Sequence, residues 1–328
     1  MDKTMKPEFT NLFDLAAEKL GGTTLDCSDD FFASVDNLIK EGRGIFIPDK
    51  YTDHGKWMDG WESRRKRDEG HDWCIVKLAT EGVIKGVDID TNHFLGNHPP
   101  YASLEATNMS GKLPKSIEWV EIVPKSPLEP GEHNFYEVTD DNSWTHLRLN
   151  IFPDGGVARL KVYGEVSKDW SGYDEEVDLA SAINGARAIG CNDMFFSHMN
   201  NLLMPRKGKD MGDGWETKRN RTPNNVDWVI IGLASKGSIS KVMLDTKHFK
   251  GNYPDRFSLD GCVAKDDTNF EVDDVDWIEF LPPTKLSPDH EHEFEKEIVA
   301  LGPFTHVRLN IYPDGGVSRL RLYGTIAS

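Results

Sequence analysis

The chain has 328 residues and a formal net charge of −17, which argues against binding to duplex nucleic acid or to an anionic membrane. Aromatic residues make up 10% and hydrophobic residues 38%, which excludes a disordered chain and suffices for two domains with cores of their own. The cysteines Cys27, Cys74, Cys191 and Cys262 form no C-x-x-C pair, and no apolar run approaches the ~20 residues of a membrane span.

Residues 1–10 are mixed and polar, without the apolar core of a signal peptide, so a cytoplasmic, reducing location is expected. The next stretch, DLAAEKLGGTTLDCSDDFF from Asp14, returns as DLASAINGARAIGCNDMFF from Asp178, an offset of 164. Within it Cys27 and Cys191, each beside paired Phe, read as small buried hydrophobes rather than nucleophiles. Residues 28–40 and 192–204 each suit a short helical turn. Residues 41–56 then have no counterpart, because the offset falls to 154 at the following motif, DGWESRRKR at residues 59–67 against DGWETKRNR at 213–221. Asp53 and His54 of this insertion are therefore unique to the first copy.

Strands are predicted at 73–79 and 86–90, with partners at 228–234 and 241–245, and at 117–123 and 275–281. The second strand of each copy runs into DTNHF or DTKHF. WTHLRLNIFPDGGVARLKVYG from Trp144 is matched by FTHVRLNIYPDGGVSRLRLYG from Phe304. Its period-two alternation places Leu147, Leu149 and Ile151 in a core and His146, Arg148 and Asn150 on the opposite face. Pro153-Asp154-Gly155-Gly156 reads as a tight turn, making the whole a hairpin. A period of about 155–160 residues is a domain duplication, since solenoid units are only ~20–50 residues long. The boundaries read as 13–165 for the first copy, 166–176 for a polar linker and 177–328 for the second. Many short strands between Gly/Pro turns predict an all-β chain of two tandem antiparallel jelly-roll sandwiches.

Charge and aromatics concentrate in the DGWE segments, which lack apolar periodicity and read as loops at one end of each sandwich. There Arg65, Arg67, Arg219 and Arg221 offer planar forks for a carboxylate, Trp61 and Trp215 offer flat walls, and Asp59, Asp213, Glu62 and Glu216 offer carboxylates. A structural ion-pair cluster is the competing reading of the same residues. His93 and His248, close to Asp90 and Asp245, suit acid–base chemistry, a structural role or a two-ligand fragment of a metal site. Arg148 and Arg308 become a second carboxylate clamp if their face lies beneath the DGWE loop, and are ordinary solvated residues otherwise. No metal site is assembled from these spacings and no cofactor is expected, with a divalent-metal requirement left open.

The two DGWE loops, the DTNHFLGN and DTKHFKGN segments and the paired THxRLNIxPDGGVxRLxxYG stretches together resemble the allantoicase (allantoate amidinohydrolase) family over essentially the full length. That resemblance implies galactose-binding-like jelly rolls, a homo-oligomer, and a hydrolase acting on carbon–nitrogen bonds in linear amidines. The implied reaction converts allantoate to ureidoglycolate and urea in purine (allantoin) degradation. Allantoate carries one carboxylate and two ureido nitrogens on its central carbon. On this reading Arg65 and/or Arg67, or Arg219 and Arg221, clamp the carboxylate, and Glu62 or Glu216 is the general acid–base. Asp59 or Asp213, with His93 or His248, hydrogen-bonds the ureido groups or orients water. The rival expectation is a non-catalytic tandem carbohydrate-binding protein on the same fold.

Overall fold

The computed structural model describes residues 6–114, 116–265, 267, 275–299 and 302–327; the first five residues of the N-terminal stretch considered above lie outside it. The chain divides into two compact units, Met1–Ser167 and Lys168–Ser328. Among the described residues all regular structure is β-strand or single 3-10 turns, and no helix is long and apolar enough to cross a membrane.

The strands of the first unit are β1 (Phe13–Asp14), β2 (Thr23–Cys27), β3 (Tyr51–Thr52), β4 (Gly55–Lys56), β5 (Trp61–Glu62), β6 (Asp72–Asp90), β7 (Tyr101–Thr107), β8 (Val120–Pro127), β9 (Phe135–Glu137), β10 (Ser143–Phe152), β11 (Gly156–Val157) and β12 (Arg159–Val166). The second unit continues with β13 (Val177–Asp178), β14 (Arg187–Cys191), β15 (Trp215–Glu216), β16 (Asp227–Asp245), β17 (Arg256–Cys262), β18 (Ile278–Lys285), β19 (Glu291–Phe294), β20 (Phe304–Tyr312), β21 (Gly316–Val317) and β22 (Arg319–Ile326).

β6 organises the first unit. Its first half pairs with β2 on one side and β10 on the other, and its second half with β9 and β12, all antiparallel. One strand thus feeds both layers of the jelly roll. The sequence reads it as two strands because Ala79-Thr80-Glu81-Gly82 interrupts the apolar pattern; the backbone crosses that interruption through a register shift opposite Trp144 and His146. β16 does the same in the second unit, between β14, β20, β19 and β22.

The expected hairpin does not form. β10 and β12 pair with different halves of β6 and not with each other, and β20 and β22 relate to β16 in the same way. After Pro153 the chain leaves the plane of β10, and β11 ladders onto β5, the Trp61–Glu62 pair of the DGWE segment. The Pro-Asp-Gly-Gly turn is therefore a tether for the loop and not the tip of a ribbon.

The core is built as the alternation predicts, with Leu147, Leu149 and Ile151 fully buried beside Leu104, Val87, Ile89, Leu160 and Val162. The opposite face of β10 is not solvated, however. His146 and Asn150 are buried, and Arg148 is half-buried over the Trp119 ring with its centroid 5.0 Å away. The helical turns predicted near residues 28–40 and 192–204 appear as 3-10 turns Val35–Ile39 and Met199–Leu203. Cys27 and Cys191 are half-exposed, not buried, yet burial and the neighbouring aspartates push each thiol up to about 11, far from thiolate chemistry at neutral pH.

Candidate active site

Glu62 closes β5 and is held from three directions. Its backbone ladders to Gly156, its N–H donates to Ala33 O at 3.1 Å, and its Oε1 accepts from Asn97 Nδ2 at 2.7 Å. Asn97 is itself fixed, because its carbonyl accepts Gly156 N–H at 2.8 Å. Gly155 adopts φ +141°, and a Cβ there would stand 2.6 Å from Asn97 O, so glycine is required where this turn meets the Asn97 loop. Burial raises the Glu62 carboxyl above the ordinary glutamate value, with the Asn97 hydrogen bond opposing it only in part.

Two clefts meet at Glu62 and share Phe32, Gly96 and Asn97. One, of about 480 Å³, is lined further by Arg65, His98 and Asp154. The other, of about 350 Å³, is lined by Phe46, His54, Lys56, Met58 and His93. A protonatable carboxyl thus stands between a guanidinium side and an imidazole side.

The second unit repeats the guanidinium side. A cleft of about 460 Å³ is lined by Phe196, Glu216, Arg219, Asn252, Tyr253 and Asp314. Asn252 Nδ2 donates to Glu216 Oε1, and burial again raises the carboxyl. Tyr253 stands where the first unit has His98. Arg65 and Arg219 are exposed and form no ion pair among the described residues, so each guanidinium remains available to an anion.

Other residues singled out from the sequence lie elsewhere. Trp61 and Trp215 are fully buried, which corrects their reading as ligand walls; each indole N–H donates inward, to Asp29 O at 2.8 Å and Asp193 O at 2.9 Å. Trp215→Phe is expected to lower unit stability by about 1–3 kcal/mol, through the orphaned Asp193 carbonyl and the void beside it, read as a thermal unfolding shift. Arg67 and Arg221 are exposed and do not line these clefts. Arg148 and Arg308 do not either: they pair with Glu105 at 2.6 Å and Asp260 at 2.8 Å. The conditional second clamp is thereby replaced by buried-face ion pairs that Asn150 and Asn310 reinforce.

Asp59 Oδ2 accepts from Arg159 Nη2 at 2.8 Å and Asp213 Oδ2 from Arg319 Nη2 at 3.0 Å. Burial opposes ionisation of Asp59, but Arg159 and the Ile45 N–H outweigh it and hold the carboxyl below the ordinary aspartate value. These two aspartates tie the DGWE segment down. His93 and His248 both adopt left-handed backbone, φ 68° and 73°, where a non-glycine residue is uncommon. His93 lines the imidazole side of the Glu62 cleft, whereas the His248 ring Nε2 donates to Gly208 O at 2.9 Å. Among the described residues no three His, Cys, Asp or Glu converge as metal ligands.

Asn97 and Asn252 escaped the sequence reading, although FLGN and FKGN place an identical Asn at repeat-equivalent positions. His54 was visible only as part of an insertion without a counterpart.

Comparison with known proteins gives one consistent result. The Allantoicase family, described as the allantoicase repeat, matches residues 13–167 and again 177–327. A probable allantoicase 1 of Burkholderia mallei is 51% identical over 326 residues, covering 98% of this chain and 96% of its own length. A probable allantoicase of Pseudomonas syringae pv. syringae is 48% identical over 99% of both chains. The crystal structure of allantoicase from Saccharomyces cerevisiae superposes with a TM-score of 0.80 at 36% identity, covering 97% of this chain and 96% of that one.

Proposed function

The chain belongs to the allantoicase family, and we propose that its hydrolysis of allantoate to ureidoglycolate and urea takes place at the cleft where Glu62 meets Asn97 and Arg65. The observation that carries this reading is the same Glu–Asn–Arg arrangement built independently in both repeats, around Glu62 and around Glu216.

The reaction breaks a C–N bond at an aminal-like carbon, so the departing urea nitrogen needs a proton and the carbon needs water. Glu62, whose carboxyl burial raises above the ordinary glutamate value, is the proton donor, and Asn97 occupies Oε1 and so leaves Oε2 to carry the acid hydrogen. Arg65 takes the substrate carboxylate in a fork, with Arg67 beyond the cleft adding only charge. His93 hydrogen-bonds a ureido carbonyl from the opposite wall. Holding carboxylate and leaving group together supplies orientation as well as acid catalysis. In the second repeat Glu216 and Arg219 have the corresponding parts.

All four cysteines are free thiols, which supports a cytoplasmic enzyme, and the family likeness supports a homo-oligomer. The carbohydrate-binding alternative is disfavoured, because the cleft offers a guanidinium and a half-buried carboxyl and the full-length relatives are described as probable allantoicases. Incubating the purified chain with allantoate is expected to yield urea and ureidoglycolate in equal amounts. Folded protein that yields neither overturns the assignment of the chemistry to this chain.

A further inference from the structure

We propose that His54 is the general base for the attacking water, and that turnover therefore belongs to the first repeat. The proposal rests on the function assigned above and adds a residue to it.

The insertion that distinguishes the first copy is a small hairpin. β3 and β4 pair Tyr51 with Lys56 and Thr52 with Gly55, leaving Asp53 and His54 as the two-residue tip. Gly55 lies at φ +130°, and the Thr52 hydroxyl accepts the His54 N–H at 3.2 Å. The tip folds back onto the Phe31 segment. His54 stacks on the Phe31 ring with centroids 4.0 Å apart and planes 13° from parallel, and its Nδ1 lies 2.6 Å from Phe31 O. A carbonyl oxygen can only accept, so Nδ1 carries the hydrogen and Nε2 of the neutral ring keeps its lone pair. That is the tautomer a base needs, and His54 lines the same cleft as Glu62.

The other groups of that cleft are less suited to this part. Lys56 donates its ammonium to Pro48 O and lies over the Phe46 and Tyr51 rings. His93 packs by Phe46, with ring centroids 5.6 Å apart, and among the described residues no carbonyl hydrogen-bonds its ring to fix the tautomer. In the second repeat no residue corresponds to His54. The repeat-equivalent of Phe31 there, Phe195, is 68% exposed against 40% for Phe31, as expected of a ring that has lost its imidazole cover.

The step balances without any co-reactant. A water oxygen bonds the central carbon while its proton passes to His54 Nε2. The C–N bond breaks with its electron pair on nitrogen, and that nitrogen takes the Glu62 proton to leave as urea. The imidazolium then returns a proton through solvent to the Glu62 carboxylate. The second repeat has the acid and the guanidinium but not this base, and so binds the same ureido-carboxylate anion with far slower turnover.

The test compares His54→Ala and His54→Gln in the full-length chain, by steady-state urea release from allantoate with and without added imidazole, alongside thermal unfolding. Both variants should lose roughly 10²–10⁴-fold in kcat with KM little changed, and imidazole should restore part of the rate in the Ala variant. The Gln variant keeps a donor for Phe31 O and decides the matter if the Ala variant does not fold. A Gln variant with near wild-type kcat, or a folded Ala variant that imidazole does not rescue, overturns the proposal while an active wild type leaves the family reaction intact. A wild type that releases no urea overturns the underlying reading and this proposal with it.

Discussion

Glu62→Gln is expected to lower the kcat for urea release by roughly 10²–10⁴-fold, the range a positioned general acid supplies. The substitution is nearly isosteric. Its carbonyl oxygen still accepts from Asn97 Nδ2, and its backbone still ladders to Gly156, so the cleft keeps its shape. What is lost is the transferable proton. The wild-type pH profile carries a second signature. Burial raises the Glu62 carboxyl, so the acid form persists at a pH where a solvated glutamate is already ionised. The rate should fall as pH rises through that raised value, and this alkaline fall should vanish in the variant's residual activity. Glu216→Gln, in the repeat without a His54 equivalent, should leave a larger residual rate than Glu62→Gln. Wild-type turnover in the doubly substituted chain would falsify the role of both glutamates.

Arg319→Met is expected to destabilise the second unit by about 3–5 kcal/mol, the usual cost of removing one partner of a buried ion pair. Arg319 is 1% exposed and donates to Arg206 O at 2.6 Å, Asp213 O at 2.5 Å, Ser318 O at 2.6 Å and Asp213 Oδ2 at 3.0 Å. Met fills a similar volume but donates nothing, so a buried carboxylate and three carbonyls lose their common donor. For a unit of this size the midpoint of thermal unfolding should drop by roughly 6–20 °C. An unchanged midpoint would mean that the DGWE segment is held by its strand pairing alone. Arg159, bonded to Asp59 O at 3.0 Å and Asp59 Oδ2 at 2.8 Å, serves the first unit in the same way. Asp59 and Asp213 thus place the Trp-Glu strands from beneath, and the effect of Arg319 on chemistry runs through the placement of Glu216.

Much of this molecule was legible in the sequence. The duplication, the all-β class and the buried row of Leu147, Leu149 and Ile151 followed from repetition and alternation. These are local signals: a strand that buries one face must alternate, and a duplicated gene leaves the same words twice. The Glu62 cleft was half legible. The glutamates and Arg65 were named, but Trp61 was read as a wall because an aromatic in a loop so often meets a ligand, whereas here it is the plug beneath that loop.

What only the tertiary structure decided concerns partners distant in the chain. Whether β10 turns back on itself or hands on to β6 depends on a strand some 60 residues earlier, and the Pro-Asp-Gly-Gly turn looks the same in either case. Asn97 reaches Glu62 across 35 residues, His54 reaches Phe31 across 23, and Arg159 reaches Asp59 across 100. Residue types by themselves specify which groups can carry a proton or a charge. Burial and the identity of the hydrogen-bond partner specify which of them does, because those set desolvation, tautomer and charge compensation. The sequence by itself therefore determined the repeated β scaffold and the chemical kinds gathered at one end of each unit. The folded chain decided that burial raises the Glu62 carboxyl above its ordinary value, that Arg65 lines the cleft without an ion pair among the described residues, and that Asp59 is bound to Arg159.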